Sequence, residues 1–303
     1  MKQPTILLTG ANGFLGTVLQ EPLRKQGFSL FTLGRTGATT LSFDLVQGVP
    51  ELPVSDCVIH AAGKAHTVPG NLAEEQAFYQ VNVEGTKNLC RALEQAAALP
   101  KTVVFISTVA VYGRSEGLAL SEDCPLAGET PYAKSKRVAE ECLQSWASEK
   151  GVILGILRLP LIAGPHPPGN LGAMIRGIQK GTYLRIGKAN ARKSTVLAED
   201  IASILPQLVQ VGGTYNLTDG YHPSFGELEE TICRALDKPY PKAIPLWLAK
   251  AMGRAGDLFG PNFKITSDKV AKITSDLTFD DTLAREKLGW KPRRVLDVLP
   301  EYL

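Results

Sequence analysis

The stretch that most limits how this chain can fold is TILLTGANGFLG, residues 5–16. An apolar run closes in Gly10. Gly13 and Gly16 then follow at GxxGxxG spacing, and Gly16 opens an amphipathic segment, GTVLQEPLRKQG. The apolar run reads as a buried strand and the segment after it as a helix over 16–27. The three glycines have separate uses. Gly10 permits the tight turn, Gly13 lets a pyrophosphate approach the backbone, and Gly16 lets helix and strand pack closely. The helix N-terminus behind them offers free N–H groups and the positive end of its dipole to a phosphate. Glycines at this spacing are weak evidence alone. A strand before and a helix after make them a dinucleotide-binding loop, completed by Asn12, Phe14 and Leu15.

The next stretches repeat that alternation. Strands are expected at 29–35, 56–63, 101–108 and 152–159, and helices over 75–98 and 132–151. Strands alternating with helices imply βαβ units and a parallel sheet covered on both faces, hence a doubly wound α/β fold. After Pro160 the texture changes. PLIAGPHPPGN (160–170) reads as a loop leaving the sheet and 171–181 as a helix. A short strand and a helix fall within 194–209, and one more strand within 212–220. The remainder, 221–303, holds amphipathic pieces separated by prolines and glycines. The expected division is a dinucleotide-binding domain from 1–163 with 194–220, and a smaller mixed α/β lobe from 164–193 with 221–303, packed over the sheet's carboxyl edge.

At 303 residues the chain is long enough for such a pair of unequal lobes. Its net charge of +3 does not argue for a nucleic-acid partner. Five cysteines, an odd count without a CxxC pair, favour reduced thiols in a cytoplasmic protein over a disulfide framework or a zinc site. No apolar run approaches a membrane span, and no secretory signal leads the chain.

The end of the second strand selects the cofactor. An acid there would bond the adenosine ribose 2′-OH, whereas an arginine accommodates a 2′-phosphate. In TLGRTG the acid is replaced by Gly34, and Arg35 follows. NADP is expected, with NAD as the alternative if Arg35 only stacks on adenine. In FDL, Asp44 beside Leu45 is placed to take the adenine amino group, or simply to cap a turn.

Tyr132 and Lys136 stand four residues apart at the start of a predicted helix, and so share one face. A nearby ammonium favours the phenolate and is expected to pull the tyrosine below its usual value of about 10, toward a usable acid or base. FISTVAVYG places Ser107 and Thr108 at the carboxyl end of a strand, where ligands bind in such sheets. A hydroxyl there can bond a substrate oxygen beside the phenol.

These pieces, TGANGFLG, DCVIHAAG, VNVEGTKNL, FISTVAVYG, YAKSK, RLPLIAGP and LGWKP, stand in one order over nearly the whole length. In that order the chain resembles the extended short-chain dehydrogenases/reductases, in the nucleotide-sugar epimerase/dehydratase group. The resemblance implies a Rossmann fold with a substrate lobe, Tyr132 as the proton-transfer residue, Lys136 as its ribose-bound partner, and Thr108 as the catalytic hydroxyl. It implies a cofactor lined by Ala61, Ala62, Gly63, Asn82, Ser107 and Pro160. For a nucleotide-sugar substrate it implies Asn170 near the diphosphate, with Arg192 and Lys193 where a phosphate-binding arginine is common. It also implies a homodimer through the helices holding 80–98 and 132–150.

Val109 and Ala110 stand where the dehydratases carry an acid pair, which disfavours dehydration. Within the group the chain is more similar to bacterial surface-polysaccharide enzymes, and that resemblance implies NADPH-dependent reduction of a UDP-linked 4-keto-6-deoxy hexose, N-acetylated or not. The alternatives are a UDP-hexose 4-epimerase holding NAD, and a cofactor-binding regulator without chemistry. His60 is expected to pack at its strand end. His66 and His166 lie in loops without metal-ligand spacing, so no metal is expected. Trp290 is expected in the core of the small lobe.

Overall fold

The N-terminal apolar run forms β1 (Thr5–Thr9), where Ile6, Leu7 and Leu8 are enclosed from both sides. A strand covered on both faces shows no alternation, as the centre of a parallel sheet requires. The computed structural model describes residues 3–37, 39–65, 68–260 and 265–303. After β1 come α1 (Phe14–Lys25), β2 (Ser29–Gly34), β3 (Leu41–Ser42), β4 (Cys57–His60), α2 (Leu72–Tyr79), α3 (Gly85–Gln95) and β5 (Thr102–Thr108). Then follow β6 (Gly117–Leu120), α4 (Pro131–Lys150), β7 (Ile153–Leu159), β8 (Leu161–Ala163), α5 (Gly169–Gln179), β9 (Leu184–Ile186) and β10 (Thr195–Leu197). The chain ends through α6 (Leu205–Val211), β11 (Gly213–Asn216), α7 (Phe225–Ala235), β12 (Lys242–Ile244), α8 (Leu246–Asp257), α9 (Ser267–Thr274), β13 (Leu277–Phe279), α10 (Thr282–Leu288) and α11 (Val295–Val298).

Seven strands make one sheet in the order β3-β2-β1-β4-β5-β7-β11. Every pairing in it is parallel. The chain winds outward from β1 to β3 and then crosses back to β4. The order therefore reverses between β1 and β4, which opens a crevice at their carboxyl ends. This is the expected doubly wound α/β fold. On one face α3 and α4 pack Leu89, Leu93, Leu143 and Trp146 against the sheet. On the other, α1 and α6 bring Leu19, Leu23, Leu205 and Leu208. A separate cluster gathers Leu171, Ile175 and Ile178 of α5 with Leu228 and Ile232 of α7 and Val295 of α11. Three small parallel pairs, β8–β10, β9–β12 and β6–β13, complete the structure.

Several expectations are corrected. Trp290 is a core residue, but of the large sheet: it packs in the cluster of Leu19 and Leu208, and its indole N–H donates to Thr218 O at 2.8 Å. The helix expected over 75–98 starts earlier, where the Asn71 side chain accepts from Glu74 N, and a π-turn at Gln80–Glu84 breaks it in two. The strand expected over 56–63 stops at His60, because Ala61 and Ala62 turn over the glycine loop. The last sheet strand spans only Gly213–Asn216 of the 212–220 stretch. All five cysteines are free. Among the described residues no helix is long and apolar enough to cross a membrane.

Candidate functional site

The glycine loop is tight by construction. Gly10 has φ +68°, and a Cβ on it would lie 2.5 Å from Ala62 N and 2.7 Å from Ala61 O. A Cβ on Gly16 would run into Gly10 O. Gly13 differs, since a Cβ there would meet only Gly10 O, at 3.1 Å. The space beside Gly13 is thus open, and α1 has no side-chain cap there. The first-turn N–H groups of α1 are left for an anionic ligand. This cradle fits a dinucleotide pyrophosphate. Phe14 and Leu15 can offer it only their N–H groups: the Phe14 ring lies against Gly164, and Leu15 is buried in the core. Asn12 turns outward and its Nδ2 donates to Thr36 O, tying the glycine loop to the turn after β2.

At its first position that turn is crowded by side chains. A Cβ on Gly34 would sit 2.9 Å from Thr39 Cγ2 and 3.0 Å from Asn12 Nδ2. Arg35 is exposed beside it, and among the described residues it has no ion-pair partner. Asp44 is engaged in a turn, its Oδ1 accepting from Val46 N at 3.0 Å. Leu45 is buried, and its carbonyl accepts from Asn88 Nδ2 at 2.8 Å.

Across the crevice, Thr9 Oγ1 accepts from Ala62 N at 3.2 Å, fixing the loop after β4. Gly63 lies against Asn82, whose Oδ1 would be 3.1 Å from an added Cβ, with Lys136 Nζ at 4.0 Å. Asn82 sits in the π-turn, which swings its side chain inward. Its Oδ1 accepts from Lys64 N at 2.7 Å, and its Nδ2 donates to Ser135 Oγ at 2.9 Å. Ser135 Oγ in turn donates to Tyr132 O at 2.8 Å. A π-turn is costly and tends to occur where function needs a side chain re-aimed.

Helix α4 starts where Thr130 accepts from Ala133 N and Pro131 occupies the first turn. That start sets Tyr132 beside the carboxyl end of β5. The phenol stands tilted against Phe78, ring centroids 6.0 Å apart, and bonds Thr108. Lys136 is buried, its Nζ donating to Ile106 O at 2.6 Å and lying 3.7 Å from the Phe105 ring centroid. Thr108, Tyr132, Lys136, Asn82, Gly63 and Gly10 therefore converge. Pro160 is partly buried in the turn between β7 and β8.

The electrostatics differ from expectation. Burial holds the Tyr132 phenol above its usual value, opposed only by the bond to Thr108. Lys136 does not pull it down. Desolvation lowers the lysine itself to about 7, partly offset by Glu140, and its ammonium is turned to the Ile106 carbonyl. Near neutrality the phenol is protonated, and the lysine is far easier to deprotonate than an exposed one.

His60 packs as expected, between Thr9 Oγ1 at 2.7 Å and Thr86 Oγ1 at 3.0 Å. Burial, with the charge of Lys136, lowers its pKa to about 3. The unfolded chain binds this proton near 6.5 and the folded chain refuses it, so stability is full above pH 6.5 and falls as pH drops toward 3. Urea unfolding should lose about 2 kcal/mol from this group between pH 8 and pH 5. A His60→Asn chain should show a flatter profile over that range.

Of the expected substrate residues, Thr108 and Tyr132 belong to this cluster, and the other three have partners of their own or face solvent. Asn170 is exposed in the first turn of α5. Arg192 donates to His222 O at 3.0 Å and lies over Tyr221, while Lys193 donates to Ser275 O at 2.8 Å. Burial lowers Lys193 to about 8. His166 is exposed, and His66 lies outside the described residues. Among the described residues no three acidic, histidine or cysteine side chains form a metal-holding group.

Sequence reasoning missed Glu140. It is 1% exposed, receives Ser107 Oγ, and pairs with Arg158 at 2.7 Å. Its signal was available: Tyr132, Lys136 and Glu140 repeat at four-residue spacing on one face of α4. Ser107 is thereby committed to a buried carboxylate.

The family model described as "NAD dependent epimerase/dehydratase family" matches residues 6–217. A UDP-glucose 4-epimerase of Vibrio cholerae is 30% identical over 96% of this chain and 92% of its own. A dTDP-6-deoxy-L-talose 4-dehydrogenase (NAD(P)(+)) of Kitasatospora kifunensis is 29% identical over the same shares, 96% and 92%. In three dimensions a human epimerase family protein crystallised with NADPH superposes with a TM-score of 0.75 at 18% identity, covering 99% of this chain and 100% of that one.

Proposed function

The chain belongs to the NAD-dependent epimerase/dehydratase family of nucleotide-sugar enzymes, and on that premise we propose that it is an NADPH-dependent reductase of a UDP-linked 4-keto-6-deoxy hexose, N-acetylated or not, in surface polysaccharide synthesis. The observation that carries this reading is the end of β2, where Gly34 is closely packed against Thr39 and Asn12 and Arg35 stands exposed. The sequence offers no carboxylate there for the ribose 2′-OH of NAD, whereas a guanidinium can take a 2′-phosphate bidentately. The protonated phenol of Tyr132 adds support, because reduction starts from a proton donor.

In this reading residues 1–163 with 194–220 hold the cofactor, and 164–193 with 221–303 form the substrate lobe. Gly10, Asn12, Gly13 and Gly16, with the amides of Phe14 and Leu15, receive the pyrophosphate. Asp44, Leu45, Ala61, Ala62, Gly63 and Pro160 line the remainder. A bound nicotinamide supplies the hydride that reduces the sugar C4 carbonyl. Tyr132 Oη gives its proton to the developing alkoxide, and Thr108 donates a hydrogen bond to the same oxygen. Lys136 Nζ leaves Ile106 O for the ribose hydroxyls and helps return a proton to the phenolate. Asn170, Arg192 and Lys193 hold the diphosphate after rearrangement of the loops that carry them.

Incubation with a UDP-4-keto-6-deoxy sugar and NADPH should consume the two in equal amounts, followed by absorbance. Inversion at C4 of a UDP-hexose without net NADPH loss would overturn the proposal in favour of the epimerase, the second reading, which the Vibrio cholerae relative supports. Arg35→Ala should raise the KM for NADPH by about 10–100-fold, the worth of one charge-assisted bond, and leave that for NADH unchanged. Initial-rate kinetics with the two cofactors checks it.

A further inference from the structure

Helix α8 is built inside out. It turns small residues inward, with Ala249, Gly253 and Gly256 buried. A Cβ on Gly253 would lie 3.0 Å from Ser267 N, so α8 sits tight on the start of α9. Its large side chains point to solvent: Trp247 is 71% exposed, and Leu258, just past its last turn, is 86% exposed. At about 3.6 residues per turn, Trp247, Ala251, Ala255 and Leu258 fall on one outward stripe. Arg254 and Lys250 flank that stripe, and Lys242 of β12 lies just upstream; all three are exposed. Among the described residues none of these cations has an ion-pair partner. The only acid of the helix, Asp257, accepts from Ser267 N at 2.9 Å.

We propose that α8 docks the protein on an anionic lipid bilayer, its outer face lying in the headgroup layer. An outward apolar stripe with a tryptophan and a cationic flank is the pattern of an interfacial helix. Lysine and arginine stems lie along the apolar surface while their heads reach lipid phosphates. A second copy of the chain fits this face worse. A two-fold contact lays a patch on itself and would gather the cations Lys242, Lys250 and Arg254 of both copies into one interface. The proposal goes beyond the chemistry assigned above and holds whichever sugar is reduced.

The test is co-sedimentation of the full chain with vesicles of phosphatidylcholine alone, or of phosphatidylcholine mixed with phosphatidylglycerol. Trp146 and Trp290 are 7% and 1% exposed, so a blue shift in emission on binding reports Trp247. The expected result is binding to the mixed vesicles only, weakened by salt, with that shift. Trp247→Glu and Leu258→Glu should each cut binding by about tenfold or more, with turnover in solution and the melting temperature unchanged. No binding to the mixed vesicles, equal binding to both kinds, or binding that survives both substitutions overturns the proposal. So does light scattering in which Leu258→Glu dissolves an oligomer while vesicles capture neither protein.

Discussion

Tyr132→Phe should lower kcat by about 10²–10⁴-fold and leave the fold and the affinity for NADP(H) nearly untouched. The substitution removes one oxygen. The ring keeps its place against Phe78, 6.0 Å between centroids, and among the described residues the hydroxyl bonds Thr108. One hydrogen bond is worth about 0.5–1.5 kcal/mol to stability, so the melting temperature should move by a few degrees at most. The chemical loss is larger because, among the described residues, the other proton-bearing groups beside the phenol are already engaged. Lys136 is bound to the Ile106 carbonyl, and Ser107 is committed to Glu140. Stopped-flow absorbance gives the rate, and quenching of protein fluorescence by NADPH gives the affinity. A variant keeping more than about a tenth of wild-type turnover would move the donor role to Thr108. If a cell lacking the gene is fully rescued by the variant, the protein works as a cofactor-binding regulator instead.

What the sequence made legible follows from how local each signal is. β1 and its glycines could be read because a strand, a turn and a helix start fall within a dozen positions, each with its own residue chemistry. The pairing of Tyr132 with Lys136 was legible for the same reason, helical spacing. The electrostatic sign at Tyr132 was not, because it depends on Phe78, Phe105 and the Ile106 carbonyl, which reach α4 from other elements. Nor was the break at Gln80–Glu84: an apolar rhythm that suits one long helix also suits two helices joined by a π-turn, and only the bonds of Asn82 to Lys64 and Ser135 distinguish them. The strands β6, β8, β9, β12 and β13 have three or four residues each, too few to show a period. Trp290 was misplaced because LGWKP says that an indole is buried but not against what. The substrate roles of Arg192 and Lys193 rest on a resemblance and not on any local signal; in the structure Arg192 lies over Tyr221 and Lys193 donates to Ser275 O.

Glu140→Ala should destabilise the protein by about 3–5 kcal/mol. The carboxylate is 1% exposed and Arg158 5%, so solvent cannot screen what is left behind. Arg158 reaches Glu140 through Nη2 at 2.7 Å and Nε at 3.3 Å, Tyr112 Oη through Nη1 at 3.1 Å, and the Glu122 carbonyl through the same nitrogen at 3.3 Å. Tyr112 passes the chain on to Asn216 Oδ1 at 2.7 Å, so β5, α4, β7 and β11 meet in one polar network. Without Glu140 the guanidinium keeps its neutral partners and loses the carboxylate it pairs with. Replacing the pair, as in Glu140→Ala with Arg158→Met, should recover part of the loss, because apolar groups of similar volume often match a buried ion pair. Urea unfolding of the two variants separates the cost of an orphaned charge from the worth of the pair. A loss under about 1 kcal/mol for the single change would mean that water enters and solvates the guanidinium. The milder Glu140→Gln tests the link to the site. Glu140 raises the Lys136 pKa, so removing its charge should shift that pKa further below about 7, and the pH–rate limb that reports Lys136 should move to lower pH. A role confined to packing would lower stability and leave that limb where it was.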